Sequence, residues 1–477
     1  MFKSRKGIGI GFLIFIIVLF SITVYAENTM QTIQVLFNYV NLKVNGENVQ
    51  VDNILYNGTT YAPVRAVAEM LGKEVSWDPT TKTASINDKV KVIESANTEP
   101  NIEKQLELHT FYAINSYEQF KMFLKNKSIQ NINSLSFGWS RMEYDEENDK
   151  VFLNMTTLNK NDFYVPYGFN EPLSFAKQYN ISTQLNVYAD KNIGTILEYK
   201  DSAIQQIIDS ITGKEIYGEN ITFDGVVIDF ERLEEKDSQS FIMFLKDLKE
   251  ELIKNNKKLY VTVPPRTWNS AYDYREIGHI ADKIILMAHD YDDKDLESTY
   301  LVDEIVYTPL TPISQIRQAL LDITDEENGV AQKDKILLQI NFGTAQWKVK
   351  EGKLYDGDIN EDNEDNNIIY SDKPTYEMIY NRIKEELNKG RTIDEIINFD
   401  DNSKNPYIRY YNDLEGTENI IWYEDSRSVI EKINLAKEFE IGGISLWRLG
   451  NIPNYYNPRN QEFYLDIWQQ IQKNIIE

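Results

Sequence analysis

Cysteine is absent from all 477 residues, which removes disulfide staples, thiolate metal sites and thiol nucleophiles together. Stability must then come from packing alone. Histidine is scarce as well: His109, His279 and His289 are the full set, they do not stand at ligand spacing, and no HExxH-type motif occurs, so no metal is expected. Basic residues are outnumbered, 50 Lys and Arg against 75 Asp and Glu, for a formal net charge of −25. No basic stripe offsets that field, and nucleic acid is excluded as a partner because its phosphates would be repelled. The sequence also lacks a Walker-type or dinucleotide-binding glycine loop and a serine elbow. Hydrolysis without a cofactor is the simplest chemistry left.

What is present is core material. Hydrophobic residues make up 42% and aromatic residues 12% of a chain too long for one ordinary core, so two or three domains are expected. Lys3, Arg5 and Lys6 precede an uncharged apolar run from Gly7 to Ala26 that ends in Val24-Tyr25-Ala26. Residues 1–26 are therefore read as a signal peptide or an uncleaved membrane anchor. Either implies a secreted or envelope-associated protein, and an uncleaved segment would attach it to the membrane or cell wall through the N-terminus.

Residues 31–92 form a small α+β unit in which short alternating stretches are broken by the turn pairs Asn45-Gly46 and Asn57-Gly58. A helix from Pro63 to Gly72, opened by proline and closed by glycine, precedes a strand pair through Val75–Asp78 and Ala84–Ile86. The stretch YAPVRAVAEMLGKEVSWDPTTKTASI resembles the copper amine oxidase N-terminal domain, a stalk-type module. No copper is expected in it, because the unit has neither His nor Cys.

Residues 93–108 are read as a linker, polar and aperiodic from Asn97 to Gln105. From residue 109 to 477, short apolar runs alternate with helical stretches, the pattern of βαβ units around a parallel sheet. Eight strands are predicted: Thr110–Ile114, Ile132–Phe137, Ser182–Tyr188, Gly225–Asp229, Leu259–Val263, Lys283–Met287, Ile336–Asn341 and Gly443–Leu446. Helices are predicted at Tyr117–Lys125, Ala203–Ile211, Ser238–Lys254 and Ser428–Glu438. The fold class is therefore α/β, a (β/α)8 TIM barrel. The polar stretch from Trp347 to Glu424, between the seventh and eighth strands, is too long for a loop and predicts a structured insertion.

The segment Phe223-Asp224-Gly225-Val226-Val227-Ile228-Asp229-Phe230-Glu231 carries the chemistry. Strand side chains alternate, so Asp229 and Glu231 share one side of a barrel strand at its C-terminal mouth, where barrel enzymes react. Two neighbouring carboxyls push their pKa values apart, leaving one protonated while the other is ionised. The same pair would also suit a solvated rim or an ion pair.

DGVVIDFE resembles the signature of glycoside hydrolase family 18, DG-x-D-x-D-x-E. The resemblance implies a substrate-assisted mechanism in which the sugar's own acetamide oxygen attacks the anomeric carbon. Glu231 would be the acid and base, Asp229 would hold the acetamide and stabilise the oxazolinium, and Asp224 would join the substrate-binding set. Val227 replaces the family's middle acid, which helps set the protonation of the next aspartate.

Met287-Ala288-His289-Asp290 resembles the family's Met-x-Tyr-Asp motif, with His289 in the tyrosine position, and implies substrate contacts from His289 and Asp290. Trp447 matches the tryptophan that floors the cleavage subsite, where an aromatic plane stacks on a pyranose. Ser136–Arg141, Val263–Arg266 and Ile421–Asp425, the last bringing Tyr423 as a substrate residue, look like the strand-end loops of the branch acting on bacterial walls and spore cortex. The expected substrate is an N-acetylglucosamine polymer, peptidoglycan or cortex before chitin. A lectin-like barrel that binds sugar without cutting it is the alternative reading.

Overall fold

The computed structural model describes residues 34–37, 39–40, 42–44, 47–49, 53–64, 67–68, 73–78, 83–88, 105–113, 131–297, 305–355, 368–452 and 458–476. The chain divides into two compact units, Met1–Asn101 and Ile102–Glu477.

In the first unit Ile54–Tyr56 pairs antiparallel with Leu36–Phe37 and with Thr59–Tyr61. Asn57 and Gly58, which join the hairpin, have φ of 48° and 76°, the left-handed region that a two-residue turn requires and Asn-Gly accepts. Leu42–Val44 pairs with Glu47–Val49, and Lys73–Asp78 with Thr83–Asp88 in the order read from the sequence. The proline-opened helix starts at Val64, and the Val67 amide donates to the Pro63 carbonyl at 3.2 Å. Its last residues, the turn Asn45-Gly46 and the apolar run 7–26 lie outside the described residues. Among the described residues no helix is long and apolar enough to cross a membrane.

The second unit is a closed barrel of eight parallel strands: β1 Glu107–Tyr112, β2 Ser134–Asp145, β3 Ser182–Ala189, β4 Gly225–Phe230, β5 Lys258–Val263, β6 Lys283–Leu286, β7 Ile336–Asn341 and β8 Gly443–Trp447. β8 pairs with β1 and β1 with β2, which closes the ring. Helices such as Lys200–Thr212, Ser238–Lys254 and Ser426–Glu438 follow their strands on the outside. Glycine begins β4 and β8 because the neighbouring backbone is too near for a side chain. A Cβ on Gly225 would lie 2.5 Å from the Lys258 carbonyl oxygen, and one on Gly443 would lie 2.1 Å from that of Glu107.

Period-two alternation divides β4 between two environments. Val226, Ile228 and Phe230 pack outward with Phe244 and Leu248 of the following helix, whereas Val227 packs inward with Phe111, Tyr260, Ile285 and Leu337. The parity that places Val227 inside also places Asp229 and Glu231 there.

Two expectations change, and a third lies beyond the described residues. β1 begins at Glu107, inside the stretch read as linker, because Leu106 and Leu108 are already buried as core. β2 is twice its predicted length: it leaves the barrel as a hairpin with Lys150–Asn154, so Ser136–Arg141 is strand interior and no loop. The helix predicted over Tyr117–Lys125 falls outside the described residues.

Between β7 and β8 stands the insertion, a five-stranded antiparallel sheet ordered Lys353–Leu354, Ala345–Lys350, Thr417–Trp422, Asn405–Asn412, Ile397–Asp400, with the helix Tyr376–Asn388. It has its own core around Trp347 and Trp422. Both indole nitrogens are satisfied, donating at 2.8 Å to Thr308 Oγ1 and to the Val306 carbonyl.

Candidate active site

Above the apolar layer of the barrel lies a polar one. Asp229 is 5% exposed and accepts two hydrogen bonds, from Thr262 Oγ1 on β5 at 2.7 Å and from Asn186 Nδ2 on β3 at 3.1 Å. Burial pushes its carboxyl above the usual range, while these two donors and the nearby His289 draw it back. Such donors favour the charged form and fix the direction the carboxylate faces.

Glu231 follows the last residue of β4 and is half-buried; its amide donates to the Ala189 carbonyl at 2.7 Å. Burial first, and then the negative charge of Asp229, raise its carboxyl to about 7. At neutral pH Glu231 therefore still holds a proton to give away. An acid that must be protonated works below its pKa and stops above it. Activity is accordingly expected to fall tenfold per pH unit above a limb at about 7, a slope read from kcat/KM against pH.

The chain after β6 supplies the next wall. Asp290 has φ of 64°, and its carboxylate receives Asn341 Nδ2 and Lys294 Nζ on Oδ1, each at 3.0 Å, and His289 Nδ1 on Oδ2 at 2.9 Å. Burial opposes its charge, yet His289 and Lys294 hold the carboxyl well below the usual range. His289 meets Gln339 Oε1 through Nε2 at 2.5 Å. Both ring nitrogens of His289 are thus engaged by protein groups. Trp447 ends β8, half-buried, its ring edge-on to Phe111 at 5.1 Å.

Tyr188 of β3 lies beside Glu231, whose charge, after burial, raises the phenol's pKa. Phe163 packs on Tyr188 at 4.9 Å, the Arg141 guanidinium lies 5.3 Å from its ring centre, and Arg141 pairs with Asp190. On the other side Trp268 packs edge-on to Tyr291 at 4.7 Å. Sequence reading missed Asn186, Tyr188, Thr262, Gln339 and Asn341. Inward parity on β3, β5 and β7 was the available signal, since these residues alternate with the outward-packed Leu185, Val187, Val261, Val263, Leu338 and Ile340.

Two residues do not belong to this site. Asp224 precedes β4, at the end opposite Glu231, and its Oδ2 accepts from the Thr183 amide and hydroxyl at 2.9 and 3.1 Å. At about 3.3 Å per residue, the strand carries it roughly 20 Å below the mouth. Its work is to tie β4 to β3. Tyr423 is 0% exposed and packs against Tyr376 at 6.3 Å. The whole segment Ile421–Asp425 is interior, because it completes the insertion sheet and places Glu424 on Lys432 at 2.9 Å.

The Tyr423 hydroxyl has no hydrogen-bond partner among the described residues. Tyr423→Phe is therefore expected to leave activity within about twofold and stability unchanged or up to about 1 kcal/mol higher, as thermal unfolding beside a reducing-end assay would show.

Comparisons with known proteins agree with the barrel and with the small unit before it. The sequence model described as glycosyl hydrolases family 18 matches residues 197–451, and that of the copper amine oxidase N-terminal domain matches residues 43–104. The cortical fragment-lytic enzyme of Bacillus anthracis is 26% identical over 302 residues, 59% of this chain and 61% of that protein. The enzyme of the same name from Bacillus subtilis (strain 168) is 23% identical over 266 residues, 54% of this chain and 53% of the relative. The chain thus spans less than two thirds of the length of these curated relatives. Among solved structures, the spore cortex-lytic enzyme SleL of Bacillus megaterium QM B1551 superimposes with a TM-score of 0.56 at 18% identity, covering 82% of this chain and 79% of that one. A group IV chitinase of Ostrinia furnacalis does so at 0.54 and 16%, covering 78% of this chain and all of that one, 100%. At these identities the structures attest the fold.

Proposed function

Because the chain belongs to the glycosyl hydrolases of family 18, we propose that it is an exported enzyme that cleaves β-1,4 bonds next to N-acetylglucosamine, in peptidoglycan or spore cortex before chitin. The observation that carries the reading is the pair on β4. One carboxyl is raised to about 7 so that it can donate, and the other is held by Thr262 and Asn186 on the same inward face.

With a sugar seated over Trp447, its acetamide oxygen attacks the anomeric carbon while Glu231 protonates the departing glycosidic oxygen. Asp229 faces the acetamide nitrogen and offsets the positive charge of the oxazolinium. Glu231, now ionised, takes a proton from water as that water opens the ring, and the configuration is retained. No second carboxylate nucleophile is required. The preference for wall polymer rests on relatives named for cortical fragment lysis. The predicted export segment and the unit that matches the copper amine oxidase N-terminal domain fit a protein held at the cell envelope.

Peptidoglycan, cortex fragments and chitin oligomers digested side by side, with mass spectrometry of the products and NMR of the first anomer formed, test the reading. New N-acetylglucosamine reducing ends of retained β configuration are expected. Inverted product would refute the mechanism. Val227 and His289 favour a lectin-like second reading, which predicts binding of the same oligomers with no new ends.

A further inference from the structure

His289 is 8% exposed, and both of its ring nitrogens face acceptors: Nδ1 the Asp290 carboxylate at 2.9 Å, Nε2 the Gln339 carbonyl oxygen at 2.5 Å. A carboxylate oxygen and an amide oxygen can only accept. A neutral imidazole carries one N–H and would leave one of these contacts as two lone pairs facing each other. Two N–H groups satisfy both.

Val227, in the apolar layer with Phe111, Tyr260, Ile285 and Leu337, puts no second acid beneath Asp229. The donors that reach Asp229, Thr262 and Asn186, are neutral. We propose that His289 is held as an imidazolium by Asp290 and Gln339, and that this buried cation is the positioning charge that keeps Asp229 ionised while Glu231 retains its proton. The role rests on the hydrolase reading above; the charge state does not.

Among the described residues, the charged groups around the ring agree with this assignment. Asp229 and Glu231 face it from β4, Asp290 and Asp292 from its own segment, and Asp190 lies beyond Glu231 on the β3 side. Lys294 is spent on Asp290 and Asp292, and Arg141 on Asp190. Thr262, Gln339, Asn341 and Trp447 complete the wall from β5, β7 and β8 without charge. The ring is drawn above its ordinary pKa although burial alone would lower it, with Asp290 the largest favourable influence. The imidazolium then pairs with Asp290, and its field falls on both Asp229 and Glu231.

Three histidines in the whole chain make the charge directly observable. In the full-length protein labelled with 15N-histidine, at pH 7.5, one ring is expected to show two protonated nitrogens, and that signal should vanish in His289→Gln. His109, buried between Ser445 and Ser136 and lowered to about 3, supplies the neutral reference. A neutral His289 ring at pH 7.5 overturns the assignment whatever the activity.

For the role, kcat/KM is followed against pH on a fluorogenic chitobioside and on solubilised peptidoglycan. An opposite charge nearby lowers a carboxyl by about 1–3 units, so His289→Gln should move the acid and base limbs upward together by about that much. A uniform loss with unmoved limbs overturns the role and leaves His289 a packing residue. Wild-type protein that carries the imidazolium but hydrolyses neither probe overturns the hydrolase reading and the role, and leaves the charge assignment standing.

Discussion

Glu231→Gln is expected to lower kcat by about 10²–10⁴-fold, the usual worth of a positioned general acid and base, while KM changes little. Gln keeps the shape and the hydrogen bond from the backbone amide to the Ala189 carbonyl, so fold and sugar binding persist. It cannot deliver a proton to a leaving oxygen. The basic limb at about 7 should vanish with it, because the group that titrates is gone. Reducing-end release and oligomer binding by calorimetry on the same preparation check the result. Hydrolysis by the variant within about tenfold of wild type would remove Glu231 from the chemistry.

Asp229→Asn is the second large effect, about 10²–10³-fold in kcat, comparable with losing one preorganised group from a developing charge. Two costs combine. The oxazolinium loses its counter-charge, and the new amide must turn its NH2 toward either Thr262 Oγ1 or Asn186 Nδ2, both of which donate in the wild type. The hydroxyl can rotate to accept; the Asn186 amine cannot. Since the charge of Asp229 helps raise Glu231, its removal should also move the basic limb below about 7. Fall in kcat and downward limb shift together identify Asp229 as a charge. Loss of activity with an unmoved limb would make its role purely steric.

Both variants act on residues that the linear sequence displayed openly. DGVVIDFE combines an apolar strand with acids two apart, and alternation alone says that they share a face. The helices over 203–211 and 238–254 were equally visible, since 3.6-residue periodicity is local information. The long β2 was not. Its extension past Phe137 depends on a partner strand, Lys150–Asn154, that no local pattern names. Tyr423 and Asp224 failed for a related reason: motif resemblance names a residue type at a position, while exposure depends on what distant segments bring against it.

By itself, then, the sequence determined the order of the barrel strands, the acid pair, the absence of thiols and the acidic balance of charge, because composition and period are properties of neighbouring residues. Only the tertiary structure decided which polar groups converge on that pair. Asn186, Thr262, His289 and Gln339 lie on four different strands or their ends, and closing the barrel brings them within hydrogen-bond reach of one another or of Asp229. Charge and burial at Glu231 follow from that closure, since desolvation and Coulomb fields depend on distance through space rather than along the chain.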